Sequence, residues 1–144
     1  MSSPRFAIIA SLILNLNSGL FADIAEWPRW RGASDNGSMT AGGTLARVDE
    51  SAMAWKIELP GKGCSTPIVV GKAVYLTVPI GGNDALQSYD WNGKLLWQSV
   101  FGSENPGKHR NGSGSNPSPV SDGQAVFVAY KSGTLASVNL DGSL

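Results

Sequence analysis

Cysteine and histidine are almost absent from this sequence, which contains one of each, Cys64 and His109, among 144 residues. A single cysteine excludes an internal disulfide framework, and we interpret Cys64 as a small residue buried in or beside a strand. One cysteine and one histidine cannot build the usual ligand set of a protein metal site. We therefore predict no metal site, and because no Ser/His/Asp order is visible we predict no catalytic residue.

Charge is also scarce. Charged residues make up 15% of the chain, and 11 basic residues balance 11 acidic ones. Without a basic excess the chain lacks the electrostatic footprint of a nucleic-acid-binding protein, so we predict no nucleic-acid partner. Glycine is abundant instead, with 18 residues. Few charges, many glycines and scattered β-branched residues are typical of an all-β protein with many tight turns.

The sequence has no hydrophobic run long enough to cross a bilayer. The apolar stretch at residues 6–16 is too short for a membrane helix. It follows Arg5 and precedes a small-residue site ending at Ala22, which is the order of a signal peptide, with a buried first strand as the alternative. We predict a signal peptide at residues 1–22, a periplasmic or extracellular protein, and no membrane span after cleavage. The rest divides into an N-terminal arm, residues 23–49, and a repeat region, residues 50–144.

A repeated pattern occupies the second half of the chain. Thr66–Thr77 and Ser118–Ala129 are nearly the same, and their equivalent residues are 52 positions apart. Further along, Leu86 and Leu135 are only 49 positions apart. Because loops absorb length changes while strands keep register, we place the difference in a hairpin loop, with Gly81–Asp84 as the longer version.

Each copy of the pattern predicts four short antiparallel strands, which is typical of a propeller blade. In the first copy these strands are predicted at Ser65–Val70, Ala73–Thr77, Ala85–Tyr89 and Leu95–Phe101. Ala54–Leu59 matches part of the last strand at an offset of 42 and is interpreted as a strand of a preceding blade. The predicted fold is therefore an all-β, partial β-propeller of about two four-stranded antiparallel blades plus that strand. We interpret the chain as an N-terminal fragment whose partners include the remaining blades of the same propeller.

The segment Leu86–Trp97 resembles the repeat of pyrroloquinoline-quinone-like propellers, which reads approximately L-x-A-x-D-x-x-G-K-x-x-W. Ser65–Val69 and Asn116–Val120 resemble the start of that family's repeat. The resemblance covers residues 54–144 and implies the propeller fold.

The resemblance also implies structural roles for the most prominent residues of the repeat. Trp97 would dock neighbouring blades on each other, and Trp55 occupies the equivalent position one blade earlier. Asp90 and Gly93 would close the hairpin that precedes Trp97. These residues are therefore predicted to serve the blades and not a ligand.

The resemblance leaves several functions open. The family includes quinoprotein alcohol dehydrogenases, a propeller lipoprotein of outer-membrane assembly, and exported bacterial proteins of unestablished function, which Trp27–Gly32 and Pro106–Pro119 resemble. We predict an exported scaffold or binding module that is non-catalytic as it stands. One alternative is the N-terminal part of a pyrroloquinoline quinone-dependent, alcohol dehydrogenase-like oxidoreductase. The other is an outer-membrane protein assembly propeller. The position of Cys64 argues against this second alternative, because lipid attachment needs a cysteine directly after the signal peptide. No cofactor is expected in this chain, since the quinone with calcium would require a complete propeller.

One connection is a candidate binding site. Trp55 and Pro67 are 12 residues apart, whereas Trp97 and Pro119 are 22 apart, so the second blade carries an insert. Long connections on a regular scaffold tend to carry binding residues, and cations beside exposed amides suit an anionic group of a protein or small molecule. A solvated polar loop is the alternative. The candidate ligand-binding residues are Lys108, His109, Arg110, Asn111, Ser113 and Asn116.

Two tryptophans and two arginines are close together in the arm, namely Trp27, Arg29, Trp30 and Arg31. We expect the tryptophans to attach the arm to the propeller by burying their large apolar area. An aromatic patch that binds a sugar or a peptide is the alternative.

Overall fold

Two antiparallel sheets form the described part of the chain, residues 26–39 and 49–144 of a computed structural model. The first sheet contains β1 (Ile68–Val70), β2 (Ala73–Ile80), β3 (Asn83–Asp90) and β4 (Leu95–Ser103). The second sheet contains β5 (Val120–Ser121), β6 (Ala125–Ala129) and β7 (Leu135–Asn139). A short 3-10 helix at Glu50–Ala52 precedes them. The all-β prediction is confirmed, and the arrangement is consistent with partial propeller blades.

The hairpin between β2 and β3 differs from the predicted loop. Its turn contains only Gly81 and Gly82, whose φ angles of 57° and 80° suit a two-residue hairpin turn. The strand ladder therefore continues to the pair Ile80 and Asn83. The prediction of a four-residue loop was wrong, because the two glycines turn the chain alone and leave Asp84 inside β3.

The second sheet follows the same plan over a shorter length. Val126 pairs with Val138 in β6 and β7, and the ladder ends at the pair Ala129 and Leu135. A turn follows in which the Tyr130 amide donates to the Thr134 carbonyl at 2.9 Å. The length difference between the two copies thus lies in this hairpin, as predicted. No fourth strand pairs with β7 within the described ranges.

The predicted strand of a preceding blade, Ala54–Leu59, is not a strand in the structure. A strand requires a hydrogen-bonded neighbour, and none of the described residues pairs with this segment. The segment instead follows one face of the first sheet, where Ile57 and Leu59 line a groove together with Tyr89 and Leu95.

The core lies between the two sheets. The first sheet contributes Ile68, Val70, Ala73, Tyr75 and Leu86, and the second contributes Val126, Val128, Tyr130 and Val138. Two tilted aromatic pairs extend this core, Tyr75 with Trp97 at 5.8 Å and Phe101 with Tyr130 at 5.7 Å between ring centroids. The sheets therefore pack face to face through apolar side chains, which is the dominant stabilising term in such an interface.

The arm contacts the first strand of both sheets. Trp27 and Val69 exchange two backbone hydrogen bonds of 2.8 and 2.9 Å, and the Ser121 amide donates to the Pro28 carbonyl at 2.8 Å. The Trp27 ring lies over Gly32, where any Cβ would approach the ring to 2.8 Å. Trp30 is exposed. The expectation that both tryptophans attach the arm was therefore wrong for Trp30, while Trp27 is attached through its backbone hydrogen bonds to Val69.

The predicted signal peptide, residues 1–22, lies outside the described residues and stays a prediction. Within residues 26–39 and 49–144, no helix has the length and apolar character needed to cross a membrane. Cys64 is exposed, so its interpretation as a buried residue was wrong. Its place in the loop before β1, rather than within the strand, explains the difference.

Candidate functional site

The insert is the connection between β4 and β5, and it lies against the hairpin turns of both sheets. The Glu104 amide donates to the Gly82 carbonyl at 2.9 Å, which fixes the insert to the first sheet. The Lys131 ammonium donates to the Pro106 carbonyl at 2.7 Å, which ties it to the second sheet. The connection is therefore held from both sides.

A buried carboxylate organises the base of the insert. Asp84 is fully buried in β3, and its two oxygens accept hydrogen bonds of 2.6 Å from the hydroxyls of Ser115 and Ser132. Ser115 belongs to the insert and Ser132 to the β6–β7 turn. A buried carboxylate is costly unless it is hydrogen-bonded, so these contacts favour one arrangement of the three segments.

A phenol lies close to this carboxylate. Tyr130 is buried, and its hydroxyl has no hydrogen-bond partner among the described residues. Burial, and after it the negative charge of Asp84, raises the pKa of the Tyr130 phenol above its usual value. Tyr130 is therefore neutral at ordinary pH and packs as an aromatic side chain against Phe101.

Further hydrogen bonds shape the returning half of the insert. The Thr77 hydroxyl lies 2.7 Å from the Ser115 carbonyl and 2.6 Å from the Pro117 carbonyl, so its single proton is shared between them. The Gly114 amide donates to the Glu104 carboxylate at 2.9 Å. A Cβ at Gly114 would overlap the Asn105 backbone, so only glycine allows the two halves of the insert to approach this closely.

Two of the six candidate ligand-binding residues face into the insert. Asn116 accepts hydrogen bonds through Oδ1 from the amides of Cys64 at 3.1 Å and Ser113 at 3.0 Å. Ser113 is buried, and its hydroxyl accepts from the Ser115 amide at 3.1 Å. The side chains of Ser113 and Asn116 thus hold the loop together instead of pointing to solvent.

The other four candidates form the tip of the insert, Lys108–Asn111, and all four are exposed. The Asn111 amide donates to His109 Nδ1 at 3.2 Å, which leaves Nε2 as the free position of the imidazole ring. The structure therefore separates the predicted site into an exposed cationic tip and an internal pair. Ligand binding by these residues stays a prediction.

Sequence reasoning missed the residues that fix the insert, above all Asp84 and Thr77. Asp84 follows two glycines and an asparagine, so it resembled a loop residue. The signal that could identify it is the pair Gly81 and Gly82, which can turn the chain alone and so leave Asp84 within β3.

The two tryptophans of the repeat make the same contact in two places. The Trp55 indole N–H donates to the Trp91 carbonyl at 2.8 Å, and the Trp97 indole N–H donates to the Leu140 carbonyl at 3.0 Å. Each ring also lies on a turn glycine with positive φ. A Cβ would approach the Trp55 ring to 2.8 Å at Gly93 and the Trp97 ring to 2.9 Å at Gly142.

Asp90 closes the first of these turns. Its carboxylate accepts from the amides of Asn92 at 2.8 Å and Lys94 at 2.9 Å. The Lys94 amide, followed by the Asn92 amide, lowers the pKa of Asp90 below its usual value. The second turn uses Asn139 in the place of Asp90, and the Asn139 amide donates to the Ser143 carbonyl at 2.8 Å.

The expectation of no cofactor in this chain stays a prediction. No three His, Cys, Asp or Glu side chains within 26–39 and 49–144 lie close enough together to hold a metal ion. Asp84, the buried carboxylate, already accepts from two hydroxyls.

The two sheets share one strand plan, and a tryptophan makes the same contact with the last turn of each sheet, which is consistent with a repeat protein of the propeller type. The family model described as outer membrane protein assembly factor BamB matches residues 30–144, and the chain belongs to this family of PQQ-like repeat proteins. The resemblance drawn from Leu86–Trp97 is thereby confirmed. No curated protein and no solved structure matches the chain.

Proposed function

We propose that the chain is an exported, non-catalytic propeller module that acts as a scaffold and binds an anionic group of a partner through the tip of its insert. The observation that carries this proposal is the contrast within the insert, whose base is fixed by buried Asp84 while its tip, Lys108–Asn111, is exposed. Export is supported by the predicted signal peptide and by the family description, which names the outer membrane.

The chemistry of the tip favours a carboxylate or a similar anion. Lys108 and Arg110 contribute two positive charges, and the neighbouring tip residues include no acid. Arginine presents paired N–H donors that match a carboxylate, and a loop that is already fixed loses little conformational freedom when it binds.

Binding of a labelled, glutamate-rich peptide to the full chain tests this proposal. The double variant Lys108→Gln/Arg110→Gln should raise the Kd by about 2- to 30-fold, because each exposed ion pair contributes about 0.2–1 kcal/mol. Fluorescence anisotropy measures the change, and added salt should weaken binding to the unmodified chain.

A matched control separates this site from general charge attraction. Arg31→Gln/Lys56→Gln removes the same charge from exposed positions outside the insert. Its Kd should stay near that of the unmodified chain. Equal losses in the two double variants would contradict binding at the tip.

We also propose that a further blade of the same propeller covers the open face of the second sheet. This face exposes Val120, Phe127 and Leu135. Their counterparts in the repeat are the core residues Ile68, Tyr75 and Leu86 of the first sheet. In the first sheet these positions are buried by the neighbouring sheet, so the second sheet carries the surface that such a neighbour would contact.

A role in outer-membrane protein assembly is the second candidate, and the family description favours it. The full chain, exported in a bacterium that lacks its own factor of this family, should then restore the level of outer-membrane proteins. Unchanged levels, with the chain folded and exported, would exclude this role. Lipid attachment is not part of the proposal, because Cys64 does not follow the predicted cleavage site.

The quinoprotein alternative predicts dye reduction by a simple alcohol once the cofactor is added, whereas the scaffold proposal predicts none. Addition of pyrroloquinoline quinone and calcium to the full chain should produce no change in quinone absorbance and no dye reduction with a simple alcohol. Clear reduction would replace the scaffold proposal with an oxidoreductase.

A further inference from the structure

A cleft lies at the foot of the insert, between three loops from different parts of the chain. Residues 60–62 precede β1, the turn at Gly81 and Gly82 joins β2 to β3, and the insert contributes residues from both sides of its tip. The volume of the cleft is about 420 Å³, which is within the range of small-molecule sites. These loops belong to one chain, so the cleft is formed by this chain alone.

Close backbone contacts hold the walls of the cleft in place. Gly61 lies against Pro79 of β2, where a Cβ would approach the Pro79 carbonyl oxygen to 2.7 Å. Gly107 lies against Ser113 in the other half of the insert, where a Cβ would approach the Ser113 carbonyl oxygen to 2.9 Å. The cleft is therefore formed before a ligand arrives, which lowers the entropic cost of binding.

Glycines expose main-chain groups along this cleft. Gly81, Gly82, Gly107 and Gly112 line it, and none of them has a side chain to cover its amide and carbonyl. The amides of Gly81 and Gly82 donate to no described residue. Backbone amides are strong donors, so this pair can bind the carbonyl oxygens of a ligand.

Two opposite charges also line the cleft, Lys62 and Glu104, and they do not form an ion pair with each other. Lys62 is exposed and has no hydrogen bond or ion pair with a described residue. Glu104 accepts from the Gly114 amide through Oε2, at 2.9 Å, and its Oε1 has no partner among the described residues. The cleft therefore offers one cation and one carboxylate oxygen to a ligand.

The charges and the glycine amides together indicate the class of ligand. A purely anionic ligand would be attracted by Lys62 and repelled by Glu104, and a purely cationic ligand would meet the reverse. A molecule that carries both charges satisfies both side chains. The unpaired amides of Gly81 and Gly82 favour a peptide over a single amino acid, because only a peptide has main-chain carbonyls between its charged ends.

We propose that this cleft binds a short peptide with free termini, whose carboxylate pairs with Lys62 and whose ammonium group pairs with Glu104. This site goes beyond the proposed function. Gly107 and Gly112 flank the tip of the insert, but the cleft uses other side chains than the tip and a ligand of different charge.

Titration of trialanine into the isotope-labelled full chain, followed by amide NMR spectra, tests the site without any variant. The amides of Gly81, Gly82 and Gly107 should shift and saturate. N-acetyl-trialanine lacks the ammonium group and trialanine amide lacks the carboxylate, so each should bind about 2- to 5-fold more weakly. Free alanine should bind more weakly than either blocked peptide.

Two variants assign each end of the peptide to its side chain. Lys62→Gln should bind trialanine and trialanine amide equally, because the partner of the carboxylate is gone. Glu104→Gln should bind trialanine and N-acetyl-trialanine equally. The amide oxygen in Glu104→Gln can still accept from the Gly114 amide, so this variant loses the charge and keeps the contact within the insert.

Lys94→Gln is the matched control. Lys94 is an exposed lysine in the turn between β3 and β4, at the opposite end of the first sheet from Gly81 and Gly82. This variant loses the same charge as Lys62→Gln and should keep both preferences for free termini.

Equal binding of trialanine and its two blocked forms would overturn the inference, and so would shifts confined to Lys108–Asn111. Alanine that binds as tightly as trialanine would overturn the assignment to a peptide. The proposed function fails separately. Lys108→Gln/Arg110→Gln leaves Lys62 and Glu104 intact, so trialanine binding should persist in that variant whether or not the glutamate-rich peptide still binds.

Discussion

The two sheets place equivalent residues in opposite environments. Ile68 and Leu86 of the first sheet are 0% exposed, whereas their counterparts Val120 and Leu135 are 42% and 79% exposed. Tyr75 is 2% exposed, and its counterpart Phe127 is 39% exposed. The residue types are nearly the same in both sheets. The difference shows that the neighbour of a sheet, and not its own sequence, determines which face becomes core.

Truncation of the two equivalent leucines should give the largest contrast. Leu86→Ala removes a fully buried side chain and should lower the free energy of unfolding by about 2–5 kcal/mol. Leu135→Ala should cost less than about 0.5 kcal/mol in dilute protein, because the side chain is mostly exposed. Urea denaturation measures both costs. Equal costs for the two variants would show that the two faces do not differ.

The tryptophan contact between the sheets can be separated from the strain of its turn. Gly142→Ala combines a φ of 93° with a Cβ that would lie 2.9 Å from the Trp97 ring. Gly123→Ala has the same φ of 93° but open space around its Cβ, so it reports the backbone cost alone. We expect a cost of about 1–3 kcal/mol at Gly123 and a further 1–3 kcal/mol, roughly, at Gly142. Equal unfolding midpoints for the two variants would mean that the Trp97 contact adds nothing to the stability.

The Asp84 carboxylate of the first sheet holds both the insert and the turn of the second sheet. Its removal should increase the mobility of the insert without unfolding the sheets. Asp84→Ala leaves the hydroxyls of Ser115 and Ser132 without their acceptor, at a cost of about 1–3 kcal/mol. Trypsin should then cut after Lys108 or Arg110 about tenfold faster than in the unmodified chain. Asp122→Ala is the control, since Asp122 is an exposed turn residue of the second sheet. Unchanged cleavage in Asp84→Ala would show that the insert is fixed by its other contacts.

The smallest effect should be a difference between the two turns at low pH. The pKa of Asp90 is lowered in the folded chain, so its stabilising contribution is present above its usual pKa and is lost as pH falls through the lowered value. Asn139, the equivalent residue of the second turn, does not titrate. Asp90→Asn should therefore reduce the loss of stability between about pH 5 and pH 2.5, measured as urea midpoints. A variant that follows the pH curve of the unmodified chain would contradict this role of Asp90.

The positions of the strands were largely predictable, because alternation and the repeat are local properties. β4 begins at Leu95, where the sequence places it, and β6 and β7 follow the repeat. The segment at 54–59 was not predictable in the same way. It has the composition of a strand, but a strand forms only beside a partner, and no feature of its own sequence reports whether a partner is present.

The candidate site was predicted in location but not in detail. The spacing from Trp97 to Pro119 identified the insert. It did not show that Asn116 turns inward, because one of its donors, the Cys64 amide, lies 52 residues earlier in the chain. Asp84 escaped notice for the same reason, since its partner Ser115 belongs to a different repeat.

The contact of the arm with β1 and β5 has a consequence for the order of folding. Trp27 and Pro28 precede both sheets in the chain, yet their partners are Val69 in the first sheet and Ser121 in the second. The arm is therefore synthesised first and can complete its hydrogen bonds only after the last of these strands is present. Contacts between such distant residues are slow to form, so we expect the arm to join the fold in its final step.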